Sequence, residues 1–244
     1  MVNIFILGPA GSGKTTLTEK FGKYLEEQGF SVGYINLDAA VEKLPYCPNF
    51  DIRNYYTVDD VMRKFNIGPN TALIRSVELL LNYKDEIKKI ANELSLDKDY
   101  IIIDTPGQLE LVVFHSCGIE VLKIFEGKSC TVFLIPADLL RSIRDFAFLK
   151  LLALAIKYRI DMPIITVISK ADMLSCETFQ EILRRKEDLL IEGVQADLTL
   201  ELWNIIDKLE KKQRIIRVSS ITGEGLEDLH TIIHEVFCTC GDLT

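Results

Sequence analysis

Val2-Asn3-Ile4-Phe5-Ile6-Leu7-Gly8-Pro9-Ala10-Gly11-Ser12-Gly13-Lys14-Thr15 opens the chain with an apolar run and then the spacing G-x-x-x-x-G-K-[ST]. The apolar run predicts a buried strand. The glycines after it let the backbone curl until successive N–H groups converge, and a helix starting near Lys14 aims its positive dipole end at the same point. A phosphate chain fits such a cradle. Gly11, Ser12, Gly13 and Thr16 belong to its lining, Lys14 reaches the β- and γ-phosphates as a point charge, and the Thr15 hydroxyl ligates Mg²⁺. The plainer reading is a glycine-rich turn with no ligand. Average residue usage makes a chance match in a chain this long on the order of one percent or less.

Further β-branched, nearly continuous apolar runs follow at Ser31 to Leu37, Tyr100 to Asp104, Ser129 to Ala137, Pro163 to Ser169 and Arg214 to Val218, with helical patterns between them. This alternation predicts an α/β fold of the P-loop NTPase type, three-layered, with a central mostly parallel sheet and helical insertions. In such sheets ligands bind at the carboxyl ends of the strands, so functional motifs should follow strands directly. One domain spanning 1–244 is expected. An insertion at about 41–95 contains the capping-box start Thr57-Val58-Asp59-Asp60 and an amphipathic stretch from Thr71 to about Leu94. A second, charged insertion at about 177–212 contains Trp203 and reads as a helical pair covering the sheet.

Composition narrows the class. A formal net charge of −8 argues against the basic face of a nucleic-acid binder, and Lys88-Lys89, Arg184-Arg185-Lys186 and Lys211-Lys212 read as solvated helix faces. Six cysteines scattered through a chain without a signal-like start point to a reduced, cytoplasmic protein. Cys238-Thr239-Cys240 near His230 and His234 lacks zinc-finger spacing and reads as a frayed tail. The longest apolar stretch, Phe146 to Ile156, is too short for a bilayer, is interrupted by Lys150, and reads as a buried helix. No membrane partner is expected.

Three more motifs fall after predicted strands. Asp104-Thr105-Pro106-Gly107-Gln108 places a carboxylate to hold Mg²⁺ through water, a Gly107 N–H to sense the γ-phosphate, and a Gln108 amide to orient an attacking water. Ser169-Lys170-Ala171-Asp172 resembles the Asn-Lys-x-Asp guanine motif of GTPases. A carboxylate there accepts from both N1–H and the 2-amino group of guanine, whereas adenine leaves it unpaired at a cost of about 2–3 kcal/mol. The Lys170 stem lies along the base, and Ser169 departs from the usual asparagine. Val218-Ser219-Ser220-Ile221-Thr222-Gly223 looks like the fifth GTPase motif, with Ser220 and Ile221 offering backbone N–H groups to guanine O6. Asp38, after the second strand, is placed for the metal shell or for the lytic water, and Glu110 for base or water positioning. GTP or GDP with Mg²⁺ is the expected ligand set.

With these motifs in order, and Gly68-Pro69-Asn70 in the first insertion, the whole chain resembles the GPN-loop GTPases, including their archaeal single forms. On its own that tripeptide is an ordinary turn, with Asn70 a candidate cap for a helix from Thr71 onward. The resemblance implies a homodimer in which the tripeptide loop of one copy approaches the nucleotide of the other and Asn70 lies near the γ-phosphate. It also implies a protein client such as RNA polymerase or another assembly. Asp51-Ile52-Arg53 resembles a family segment as well, and Arg53 reads either as an arginine finger or as half of a structural ion pair. The apolar residues Leu139, Leu140, Ile143, Phe146, Leu149, Leu151 and Leu152 read as core, with part available to a dimer or client.

The leading expectation is a Mg²⁺-dependent GTPase that cleaves the β–γ bond by water attack. The alternatives are an assembly scaffold with slow, incidental hydrolysis, and a P-loop kinase, which Gln108 and Asp172 disfavour.

Overall fold

Strand β1 (Val2–Leu7) lies at the middle of a seven-stranded sheet in which every neighbouring pair runs parallel. The other strands are β2 (Val32–Asn36), β3 (Phe50–Asp51), β4 (Tyr100–Asp104), β5 (Lys128–Pro136), β6 (Ile164–Ser169) and β7 (Ile216–Val218), in the order β3-β2-β4-β1-β5-β6-β7. This computed structural model describes residues 1–175, 177–180, 201, 202, 205, 208 and 216–237. The second insertion falls largely outside the described residues, as do Trp203, Arg214, Cys176, Cys238 and Cys240.

Helices α1 (Lys14–Glu27), α2 (Val58–Phe65), α3 (Pro69–Leu80), α4 (Lys84–Leu94), α5 (Leu109–Val113), α6 (Ser116–Leu122), α7 (Ile143–Ile160) and α8 (Leu226–Phe237) flank the sheet. Strand side chains alternate between two cores. Ile4, Ile6, Val132, Leu134 and Val167 pack with Leu17, Phe21 and Leu25 of α1 and with Leu229 and Ile233 of α8. Phe5, Leu7, Ile101, Ile103 and Phe133 face the other way, against α2 to α7. The sheet is therefore the middle of three layers, and strands buried on both faces explain the near-continuous apolar runs.

Register decides where the motifs meet. Asp104 pairs with Ile6 and with Asn36, so the ends of β2, β4 and β1 lie within a residue of one another; Ser169 pairs with Pro136 and with Val218, so β5, β6 and β7 end together, three residues beyond the end of β1 at the same edge of the sheet.

The structure departs from expectation in the first insertion. Phe50–Asp51 forms a two-residue edge strand, too short to leave a periodic signal. The stretch from Thr71 to Leu94 is two helices separated by a 3₁₀ turn at Leu81–Tyr83. Helix α3 starts earlier than expected, with Gly68 as N-cap and Pro69 at the first helical position, where its missing N–H costs nothing. Asn70 therefore lies inside the first turn and does not cap it. The capping box at Thr57 and Asp60 forms as expected. Ahead of α7, Leu139 is exposed on the 3₁₀ turn Ala137–Leu139 and Leu140 is core; within α7, Ile143, Phe146 and Leu149 are core and Leu151 and Leu152 are half-buried.

Candidate nucleotide site

The turn from β1 into α1 builds the cradle. Gly13 is the N-cap of α1 at φ 90°, a left-handed conformation that costs a side chain about 1–2 kcal/mol. The helix has no side-chain cap and no acidic residue in its first turn, so its leading N–H groups and dipole stay available to an anion. Lys14 is buried and donates to the carbonyls of Gly8 (2.9 Å), Pro9 (3.0 Å) and Gly107 (3.1 Å). Burial lowers its pKa, while Asp104, Asp38 and Glu110 act to raise it. The ammonium thus stands among three carboxyls, on bonds it can exchange for phosphate oxygens.

Asp104 ends β4 fully buried. Its Oδ2 accepts from the Tyr46 hydroxyl at 3.1 Å, and its Oδ1 has no hydrogen-bond partner. Burial pushes its carboxyl up to about 7; the nearby Thr15 hydroxyl pulls it down and the Asp38 carboxyl pushes it further up. Asp38 is also buried, accepts from the Ala40 N–H at 2.9 Å, and is raised by burial, with the Gly107 N–H among the groups that oppose this. An orphaned carboxylate oxygen beside a second carboxylate and a hydroxyl suits a divalent cation. Among the described residues no group of three or more His, Cys, Asp or Glu forms a metal cluster. Mg²⁺ does not require one, because it is held by one or two carboxylates plus phosphate and water. Gln108 is half-buried at the N-cap of α5, and Glu110 is exposed in that helix's first turn.

The end of β6 forms the second half of the site. Ser169 donates to the Ser12 carbonyl at 2.8 Å, so the residue standing where asparagine is usual ties this strand to the phosphate loop. Lys170 turns the chain at φ 56°, and its ammonium lies 3.5 Å from Asp138. Asp172 is exposed on the 3₁₀ turn Ala171–Met173 and accepts from the Ser219 hydroxyl at 2.5 Å. Ser219 in turn accepts from the N–H groups of Ile221 and Thr222. Arg217 on β7 holds the Ala171 and Leu174 carbonyls. Ser220 is half-buried and Ile221 exposed beside this network.

The structure therefore brings together Lys14, Thr15, Asp38, Asp104 and Gly107, and joins Ser169, Asp172 and the turn at Ser220 and Ile221 to them through Ser12. Asn70 stands apart, exposed at the tip of the α2–α3 hairpin with Gly68 and Pro69. Arg53 resolves as a structural residue. Its guanidinium pairs with Asp51 at 2.7 Å and donates to the carbonyls of Val41 and Glu42. Sequence reading passed over Tyr46 and Arg217 and left Ser219 without a role, because a single tyrosine, arginine or serine leaves no spacing signal.

The family described as "Conserved hypothetical ATP binding protein" matches residues 6–239. The GPN-loop GTPase PAB0955 of Pyrococcus abyssi is 35% identical over 252 residues, covering 100% of both chains. GPN-loop GTPase 1 of Dictyostelium discoideum is 31% identical, covering 93% of this chain and 59% of its own length. The crystal structure of the P. abyssi GTPase in apo form superposes with a TM-score of 0.80 at 33% identity, covering 98% of each chain.

Proposed function

Since the chain belongs to the GPN-loop GTPase family, we propose that it binds GTP with Mg²⁺ at the strand ends and hydrolyses it to GDP and phosphate, working as a homodimer in the cytoplasm. One observation carries this reading: Lys14 of the phosphate loop reaches the Gly107 carbonyl at 3.1 Å, so two motifs far apart in sequence line a single pocket.

The residues take defined parts. Gly11, Ser12, Gly13, Thr15 and Thr16 surround the phosphates, and Lys14 leaves its carbonyl partners for the β- and γ-oxygens. Gly107 turns its N–H from the neighbourhood of Asp38 toward the γ-phosphate. Thr15 and Asp104, with Asp38, would hold Mg²⁺, which when bound neutralises charge on the departing phosphate. Gln108 orients the water, with Asp38 and Glu110 polarising it; a loose transition state needs little proton abstraction. Asn70 of a second copy adds an amide donor near the γ-phosphate, which its exposure permits.

The family description names ATP and the relatives' names say GTPase; Asp172 favours guanine. Its Oδ1 is steadied by Ser219, and its remaining acceptor capacity suits two adjacent N–H donors. Exposed Phe148 and Tyr158 on α7 favour a second reading, a nucleotide-stabilised scaffold that captures a protein client such as RNA polymerase, its hydrolysis slow and incidental.

Phosphate release from GTP and from ATP, each with and without Mg²⁺, tests the proposal. GTP is expected to be cleaved about 100-fold faster than ATP, in line with an unpaired carboxylate's cost. Equal rates, or phosphate appearing on an acceptor other than water, would contradict it.

A further inference from the structure

We propose that Tyr46 is a positioning residue that fixes the carboxylate of Asp104 for the metal. This inference rests on the reading that Asp104 directs Mg²⁺. Tyr46 lies in the loop between β2 and β3, on the α1 side of the sheet, and is buried. Its hydroxyl donates to Asp104 Oδ2 at 3.1 Å. That bond occupies one oxygen of a fully buried carboxylate and leaves the other, Oδ1, as the one without a partner. A carboxylate with one oxygen held by a phenol presents the other to a cation in one direction; without the phenol only the Thr15 hydroxyl acts on the group, and its plane can turn. Outer partners of this kind hold metal-directing carboxylates in many sites.

Packing holds the phenol itself in place. The Tyr46 ring stacks on Tyr34, with centroids 5.2 Å apart and planes 27° from parallel. Tyr34 lies against Gly22 of α1, where an added Cβ would come within 2.1 Å of its hydroxyl. The loop is pinned on either side of Tyr46: Arg53 holds the carbonyls of Val41 and Glu42, Asn49 accepts from the Tyr34 N–H through its side chain, and the Asn49 N–H donates to the Tyr34 carbonyl. Packing alone explains the ring, since a phenylalanine would stack equally well. It does not explain why the hydroxyl ends on the one buried carboxylate of β4. Tyr56, buried in the other core, satisfies its hydroxyl on the Ser76 carbonyl.

Tyr46→Phe keeps the ring and removes the bond. The experiment titrates MgCl₂ into the full-length protein with a fluorescent, non-hydrolysable GTP analogue, and repeats the binding in EDTA. Wild-type binding is expected to tighten with Mg²⁺. Tyr46→Phe is expected to raise the Mg²⁺ midpoint about tenfold or more, to bind within about twofold of wild type in EDTA, and to regain near-wild-type hydrolysis at saturating Mg²⁺. Tyr34→Phe, which loses only a bond to Glu26, should keep the wild-type midpoint. A Tyr46→Phe midpoint equal to wild type, or lower, would overturn the inference while leaving the metal reading intact; equal weakening with and without Mg²⁺ would reduce Tyr46 to packing. Wild-type binding indifferent to Mg²⁺ would remove the metal reading and this inference with it.

Discussion

The strand-end cradle and the α2–α3 hairpin tip carry their chemistry in opposite ways. In the cradle, Ser12, Lys14, Asp38 and Asp104 are buried, and Lys14 bonds three carbonyls of its own chain. At the tip, Gly68, Pro69, Asn70 and Thr71 are all exposed, and α3 begins without a side-chain cap. The cradle's side chains are held by the fold around them; the tip presents an amide and the uncapped first turn of α3 outward. Groups that bond within their own chain can be read from that chain, whereas an exposed tip acquires meaning only from what it meets.

Four substitutions probe that contrast, from the largest expected effect to the smallest. Lys14→Ala removes the one cationic side chain of the Gly8–Thr15 loop and should weaken GTP binding about 100-fold or more, measured calorimetrically, given about 1.5–3 kcal/mol per charged hydrogen bond. Binding within a few-fold of wild type would show that the cradle does not depend on it. Gln108→Ala should slow single-turnover hydrolysis about 100-fold while GTP affinity stays within about twofold, since positioning the water matters only to the chemical step. An unchanged rate removes Gln108 from the mechanism. Asn70→Ala, on the exposed tip, should slow hydrolysis about tenfold with the melting temperature unmoved; a loss of stability instead would make the tip a structural element like the cradle. Gly22→Ala should cost about 1 kcal/mol net in denaturant unfolding, because the new methyl meets the Tyr34 phenol 2.1–2.6 Å away, and that crowding outweighs the helix-propensity gain of about 1 kcal/mol. A stabilised variant would show that the Tyr34 and Tyr46 stack can shift freely.

The same contrast explains what could be read in advance. Six strands were legible because burial on both faces writes continuous apolar runs, and register then delivered Asp104 and Ser169 to the expected edge. Phe50–Asp51 was not legible, since two residues carry no period, and the break at Leu81–Tyr83 hides inside an uninterrupted helical pattern. The phosphate loop declared itself through spacing. Tyr46 and Ser219 did not, because their roles come from a loop crossing the sheet edge and from a hydroxyl meeting Asp172, contacts that only the tertiary fold creates. Arg53 left two readings open until Asp51 and the Val41 and Glu42 carbonyls engaged its donors.

The claim that one copy's tip completes the other copy's cradle is tested most directly by mixing the two defective variants and measuring single-turnover GTP hydrolysis. Lys14→Ala retains an intact tip, and Asn70→Ala retains an intact cradle. If the tip acts across the dimer, the mixture should hydrolyse GTP several-fold faster than the average of the separate variants, because mixed dimers restore one complete site, an effect of about the size expected for Asn70 itself. A mixture that stays at that average, under conditions where the copies exchange, would contradict the account and confine each site to a single chain.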